Sequence, residues 1–311
     1  MRAGLPNAGA RERHDVRLQN TRSRARRRII NEQPNVVVAL DGRAENVALV
    51  REVLAGLADE VDFGFALDDV KAAVSEACNN VVVHAYEGDA GPLEVEVRLR
   101  PPELEVLVRD RGVGIRGEGE PAAGIGLAVI EALTIRSELR ENADGGLEVA
   151  MLFDIPEPEA PVDLPDDGTP PATHELGVDG DLEVAIAITP AALGSAVLNR
   201  IVSALAARAG FSIDRLSDAQ LVTDALAARV APVLDGGYLN VGIEVLERTV
   251  ALRVGHLREG GSASLLAGDT IGEPGPLIER LTDAIEVSQA GTREMLRLVM
   301  RDARPAANGA A

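Results

Sequence analysis

Apolar residues follow two periods along the first half of the chain. Alternation at every second position predicts strands, and a spacing of three to four residues predicts helices. In chain order the pattern predicts strand 36–40, helix 45–57, helix 68–86, strand 93–97, strand 104–108, helix 124–133 and strand 147–153. Pro101 and Pro102 form the turn between the second and third strands. Strand pairs joined by tight turns, with helices between them, favour an α+β two-layer sandwich with a mixed or antiparallel sheet and helices on one face.

The same pattern returns after residue 181, at a nearly constant spacing of 148 residues. Residues 36–40 match 184–188, and Leu93 of the second strand matches Val241. Between the two segments, residues 156–181 contain six prolines and many acids without periodicity, as a linker does. This indicates a tandem duplication, and the alternative is two unrelated α/β domains with similar patterns. The predicted division is a disordered basic tail 1–34, a first domain 35–155, the linker 156–181, a repeat 182–304 and a tail 305–311.

Composition limits the classes of partner. Hydrophobic residues make up 46% and charged residues 26%, as in globular proteins. A net charge of −19 argues against nonspecific DNA binding by the body, and 2% aromatic residues against a stacking surface for single strands. The single cysteine, Cys78, fits a reducing cytoplasm, and no apolar run is long enough for a membrane helix.

The first 30 residues contain nine arginines and lack the apolar stretch of a signal peptide. We expect a disordered basic tail, or a start codon assigned too far upstream. The alternative is an arm that binds nucleic acid or lipid.

Glu76 and Asn80 are four residues apart, so both project from one face of the second predicted helix. An amide oxygen suits Mg²⁺, which takes oxygen ligands and shares them with phosphates. A carboxylate beside it can accept a proton from an attacking hydroxyl. The alternative is an ordinary solvated helix face.

Two glycine motifs follow. Asp110 ends a predicted strand and is followed by Gly112 and Gly114, which allow close approach of a ligand to the backbone. The Asp110 carboxylate can accept a hydrogen bond from an exocyclic amine such as adenine N6. Gly124 and Gly126 open the next helix, where free N–H groups suit phosphate. Each string is also common in ordinary loops, and residues 116–123 between them have the length of a short lid.

In order, the strings S-E-A-C-N-N with H-A-Y, D-R-G-V-G and G-I-G-L resemble the motifs of the GHKL (histidine kinase-like) ATP-binding superfamily. Within it, they are most similar to the anti-sigma factor serine kinases of bacterial partner switching, over about residues 36–155. The resemblance implies a Bergerat-type ATP-binding fold that takes ATP and Mg²⁺. By this resemblance Glu76 is the general base, Asn80 the Mg²⁺ ligand and Asp110 the adenine ligand. The same resemblance assigns the adenine pocket to Gly112 and Gly114, and the phosphates to Gly124 and Gly126.

The family's substrate is a serine of a STAS-type antagonist protein, and its other partner is a sigma factor. The resemblance therefore implies a cytoplasmic serine/threonine protein kinase. The alternative is a non-catalytic ATP-binding regulator that acts by sequestration. A histidine-kinase fragment is disfavoured, because no helix with a phosphoacceptor histidine precedes the domain.

The second copy lacks the motifs. Asp224 replaces Glu76, Ala228 replaces Asn80, and Asp110 falls near His256 after a shift of two residues. We therefore expect a degenerate second domain that takes the place of a dimer partner within the chain. The first copy also departs from the family, since Leu147 stands where a threonine usually contributes to the adenine pocket. The second copy has Gly291 and Thr292 at the corresponding point of the alignment.

Overall fold

The computed structural model describes residues 34–86, 89–112, 125–142, 145–157, 182–267 and 276–303. Residues Gln33–Ala311 form one compact unit. The expected tails and nearly all of the expected linker lie outside the described residues, as do Gly114, Gly124 and the proposed lid. Within the described part, no helix is long and apolar enough to cross a membrane.

The first half contains the predicted elements and one more. In order they are β1 (Val36–Asp41), α1 (Ala44–Glu60), α2 (Ala66–Asn80), β2 (Pro92–Arg100), β3 (Glu103–Asp110), α3 (Ile125–Leu133), β4 (Arg136–Glu141) and β5 (Leu147–Asp154). The helix expected to run to residue 86 ends at Asn80, and Val81–Ala85 continue it as one π-helical turn. The sequence did not predict β4, because this edge strand is mostly charged and carries one apolar residue, Leu139.

Among the described residues, the second half has the same order of elements and one further helix. Its elements are β6 (Val184–Ile188), α4 (Gly194–Arg208), α5 (Ile213–Val230), β7 (Leu239–Leu246), β8 (Thr249–Arg258), α6 (Gly261–Leu266), α7 (Leu277–Leu281), β9 (Ala284–Ala290) and β10 (Arg293–Arg301). The further helix is α6, which directly follows β8, and residues 113–124, which follow β3 in the first half, lie outside the described residues. The recurrence of strand, two helices and two strands supports the expected duplication.

The ten described strands form a single sheet in the order β4-β5-β3-β2-β1-β6-β7-β8-β10-β9. Every described pair is antiparallel, so the sheet is antiparallel rather than mixed. The halves meet where β1 pairs with β6, and Val38 lies opposite Ile186. The two predicted domains therefore share one continuous sheet.

One core lies between the sheet and the helices. Alternate strand residues such as Val36, Val38 and Ile186 face the helices in a single apolar cluster that spans both halves. Cys78 belongs to this cluster, and its burial raises the pKa of the thiol to about 12. The opposite face of the sheet carries ion pairs, of which Arg109 with Glu148 at 2.7 Å is one. This alternation accounts for the period of two in the strand sequences.

The structure corrects the sequence match of the strands by two residues. Leu93 pairs with Leu40 of β1, and Leu239 pairs with Ile188 of β6, which is the counterpart of Leu40. Leu93 therefore corresponds to Leu239 rather than to Val241. A shift of two residues keeps every side chain on the same face, so the apolar pattern alone did not reveal it.

Helices α1 and α4 also pack against each other at the junction of the halves. A β-carbon added at Gly56 of α1 would lie 2.6 Å from the α-carbon of Val197 in α4. Because that neighbour is backbone, no side-chain rotation can relieve the contact. Glycine at position 56 is thus required for the observed distance between the two helices.

We expect Gly56→Ala to lower the free energy of unfolding by about 1–2 kcal/mol, since the overpacking cost exceeds the gain in helix propensity. Urea unfolding measures this effect. Arg51→Ala, on the exposed face of the same helix, is the control and should change stability by less than about 0.5 kcal/mol. A gain in stability for Gly56→Ala would show that the helices do not pack this closely.

Candidate functional site

Glu76 and Asn80 lie side by side at the C-terminal end of α2. Helix α2 turns Val74, Ala77 and Cys78 into the core, which leaves Glu76 and Asn80 half-buried at the border of the helix layer. Helix α3 packs against α2, and Gly126 in its first turn faces the pair. A β-carbon at Gly126 would lie 3.2 Å from Glu76 Oε2 and 3.3 Å from Asn80 Oδ1. The fold therefore brings three of the predicted site residues together.

Asp110 ends β3 with a buried carboxylate. Its Oδ1 accepts a hydrogen bond from the Gly112 N–H at 2.8 Å, and the N–H of Leu147 also donates to the carboxylate. Burial raises the pKa of Asp110, and the two N–H donors act in the opposite direction. The carboxylate is thus fixed by backbone at the end of the strand, with no cationic partner among the causes of its pKa shift.

Two glycines allow the backbone to approach this carboxylate. A β-carbon at Gly112 would lie 2.2 Å from the carbonyl oxygen of Ala85, in the π-helical turn that follows Asn80. Gly146 has a φ of +78°, and its β-carbon would lie 2.4 Å from Asp110 Oδ1. Gly112 therefore connects the Asp110 turn to the end of α2, and Gly146 lets β5 begin beside Asp110.

Sequence reasoning did not identify Tyr86 as a site residue. Its hydroxyl accepts a hydrogen bond from the Arg111 N–H at 2.9 Å and donates to the Pro92 carbonyl at 2.5 Å. Its ring packs against Gly91, where a β-carbon would lie 2.4 Å from the ring. Tyr86 thus holds the residue after Asp110 in place. The available signal was its position at the end of the H-A-Y string.

Two of the predicted site residues lie outside the part of the chain that the structure describes. Gly114 and Gly124 lie in residues 113–124, outside the described residues. No group of three or more histidine, cysteine, aspartate or glutamate side chains in the described ranges could hold a metal ion.

The corresponding positions of the second half are occupied differently. The carboxylate of Asp224, at the position of Glu76, accepts hydrogen bonds from Ser195 at 3.2 Å and Asn199 at 2.5 Å. His256 follows the Asn240–Gly255 pair as Asp110 follows the Glu94–Arg109 pair, so the expected match of Asp110 with His256 agrees with the strand register.

Glu294 of the second half stands at the position that Leu147 has in the first half. Leu147 pairs with Glu141 of β4, and Glu294 pairs with Gln289, the counterpart of Glu141. The Glu294 carboxylate accepts hydrogen bonds from Gly260 N at 2.7 Å and Ser262 N at 2.9 Å, and these bonds lower its pKa. It thus ties β10 to the start of α6. The expected match of Leu147 with Thr292 is wrong, because Gly291 and Thr292 form the two-residue turn between β9 and β10.

The raised pKa of Asp110 predicts how the stability of the protein depends on pH. Because the folded pKa of Asp110 is raised above its unfolded value of about 3.9, the ionised carboxylate costs folding free energy at neutral pH. This cost vanishes below the unfolded pKa. We expect the Tm of the wild type to fall relative to that of Asp110→Asn as the pH rises from about 3.5 to 7.

Asp302 is the control of opposite sign. The Ser212 N–H donates to its carboxylate at 2.5 Å and lowers its pKa, so Asp302→Asn should lose stability relative to wild type over the same pH rise. Thermal melts of the three proteins across this range test both trends. Parallel curves for wild type and Asp110→Asn would contradict the raised pKa.

Comparison with known proteins finds relatives of the first half of the chain. A family model described as a histidine kinase-like ATPase domain matches residues 40–153, which contain every predicted site residue. The serine-protein kinase RsbW of Bacillus cereus (strain AH820) is 31% identical over 157 residues, covering 45% of this chain and 94% of the relative. RsbW of Bacillus thuringiensis (strain Al Hakam) has the same identity and coverage. A solved structure, crystal form I of TP0453, covers 86% of this chain and 90% of its own at 12% identity, with a TM-score of 0.35 that carries no conclusion.

Proposed function

The chain belongs to the family of the RsbW serine-protein kinases, within the histidine kinase-like ATPases, and we propose that its first half is an ATP-dependent serine/threonine protein kinase of the anti-sigma type. The observation that carries the proposal is the meeting of Glu76, Asn80 and Gly126 beside the Asp110–Gly112 turn. These residues come from three separate elements, and the chemistry of nucleotide binding and proton transfer accounts for all of them.

Adenine is the part of ATP that Asp110 would recognise. A buried carboxylate held by the N–H groups of Gly112 and Leu147 keeps a fixed direction, and it retains lone pairs for the exocyclic amine. Gly146 keeps this wall of the pocket free of a side chain. The adenine pocket would thus lie between the end of β3 and the start of β5.

The phosphates would lie towards α2 and α3. Gly126 carries no side chain that would separate the phosphates from Glu76 and Asn80, and the start of α3 offers backbone N–H groups. Asn80 Oδ1 is the oxygen that would hold Mg²⁺, which would share its remaining positions with phosphate and water. The bound ion supplies neutralisation of the developing phosphate charge.

Glu76 is the proposed general base. It lies next to Asn80 and Gly126, so its carboxylate can accept the proton of a serine hydroxyl as that oxygen attacks the γ-phosphorus, while the bond to the β–γ bridging oxygen breaks and ADP leaves. Its half-buried position keeps it accessible to a protein substrate. The proposed acceptor is a serine of a STAS-type antagonist, and the proposed second partner is a sigma factor in the cytoplasm.

The second half is proposed to be a degenerate copy that binds no ATP. Supporting observations are Ala228 at the position of Asn80, His256 at that of Asp110 and the Glu294 contact with α6. It would serve as a built-in dimer partner for the first half. The alternative function is a regulator that binds ATP without phosphate transfer; Leu147, which stands where the family usually has a threonine, supplies no hydroxyl to the nucleotide site.

We expect calorimetric titration with Mg-ATP to give one site per chain. The binding should disappear in Asp110→Ala, because the adenine amine loses its acceptor. His256→Ala, at the corresponding position of the second half, is the control and should leave the stoichiometry and affinity unchanged. Two sites per chain, or none at millimolar ATP, would contradict the proposal.

Phosphate transfer separates the kinase from the non-catalytic regulator. We expect Glu76→Gln to slow transfer to a STAS-type protein by about 10²–10⁴-fold while Mg-ATP still binds, because the amide cannot accept the proton. Asp224→Asn, the equivalent change in the second half, should transfer phosphate at the wild-type rate. Transfer assays with labelled ATP measure both. Equal activity of Glu76→Gln and wild type would remove Glu76 from the mechanism, and a wild type without transfer would favour the regulator.

A further inference from the structure

Equivalent positions of the two halves face each other at the junction. Val38 pairs with Ile186 in the sheet, and Glu52 of α1 contacts Arg200 of α4. In both cases the two residues are 148 positions apart, which is the spacing of the repeat. The junction therefore lies on an approximate twofold axis, where two identical halves would place each residue against its own copy.

The charges on this axis are opposite rather than alike. Arg200 Nη1 lies 3.3 Å from Glu52 Oε2, and Arg200 Nε lies 2.8 Å from Asp59 Oδ2. The hydrogen bond from Arg200 lowers the pKa of Asp59. The first half thus contributes two acids to this contact, and the second half contributes the cation.

In a second contact across the junction, the arginine again comes from the second half. Arg208 of α4 donates to Asn46 Oδ1 of α1 at 2.9 Å and lies 3.3 Å from Glu183. The residue at the position of Arg208 in the first half is Glu60. Arg200 and Arg208 thus both belong to the second half, and both of their counterparts in the first half are acids.

Pairing of two first halves would bring acids together. Each Glu52 would meet the other copy's Glu52 and Asp59, and Glu60 would stand in place of Arg208. Pairing of two second halves would instead place Arg200 against its own copy, with Ala207 at the position of Asp59. Like charges in contact are unfavourable, and in both arrangements they replace the opposite charges of the observed junction.

We infer that the β1–α1 surface of the first half selects the second half of this chain and rejects another first half. The contacting side chains are 40–50% exposed, so each pair adds little to stability, and its main effect is on the choice of partner. The chain thereby carries one complete site with a non-identical pairing half, rather than a symmetric pair of sites. This inference does not depend on kinase activity.

Charge reversal in the full chain tests the inference. Arg200→Glu reproduces the acid-against-acid arrangement and should lower the Tm by roughly 2–4 °C, and Glu52→Arg reproduces the opposite one and should also lower it. The double variant E52R/R200E should be more stable than the sum of the single changes implies. Its recovery should be incomplete, because Asp59 still faces the new glutamate. Arg293→Glu, which breaks an exposed pair with Asp235, is the matched control.

Cross-linking tests the rejection directly. In a Cys78→Ser background, Glu52→Cys with Arg200→Cys should cross-link within one chain when treated with a short bis-maleimide. Glu52→Cys alone should give few linked pairs of chains, and light scattering should show a monomer. Efficient linkage of two Glu52→Cys chains would overturn the inference. A double variant E52R/R200E with no recovery beyond additivity would overturn it as well.

Discussion

The antiparallel pairing of β1 with β6 is the contact on which the architecture depends. Within each half, the strand order leaves β1 or β6 at the edge of its own sheet. An uncovered edge of apolar residues such as Val36 and Val38 would present unpaired backbone groups and invite association. Their pairing closes both edges at once, and it aligns α1 with α4 above the sheet. The ten strands then share one core.

The candidate site depends on close approach of backbone to side chain. Gly112, Gly126 and Gly146 stand where a β-carbon would meet Ala85, Glu76 or Asp110. Each glycine removes a barrier between elements that are distant in the sequence. As a result, the end of α2, the start of α3, the end of β3 and the start of β5 come close together, with Glu76 and Asn80 half-buried and Asp110 buried.

The two halves share their main strands and helices but differ in their polar residues. The strand pairing, the two long helices and the apolar face recur, whereas the polar groups change. At the position of Leu147 the second half has Glu294, whose carboxylate bonds to the backbone at the start of α6. At this position the second half thus has a carboxylate bonded within the protein, where the first half has an apolar residue.

The sequence by itself predicted the strand and helix periods, the repeat, and the set of Glu76, Asn80, Asp110 and the glycines, because these predictions depend on local spacing and residue type. It did not predict β4, since this edge strand is mostly charged and lacks apolar alternation. It matched Leu93 with Val241 instead of Leu239, because a shift of two residues between the halves preserves the buried face of the strand. Only the tertiary structure decided that Tyr86 holds Arg111 and that Glu52 meets Arg200, because the pairing of side chains distant in the chain depends on how the elements pack.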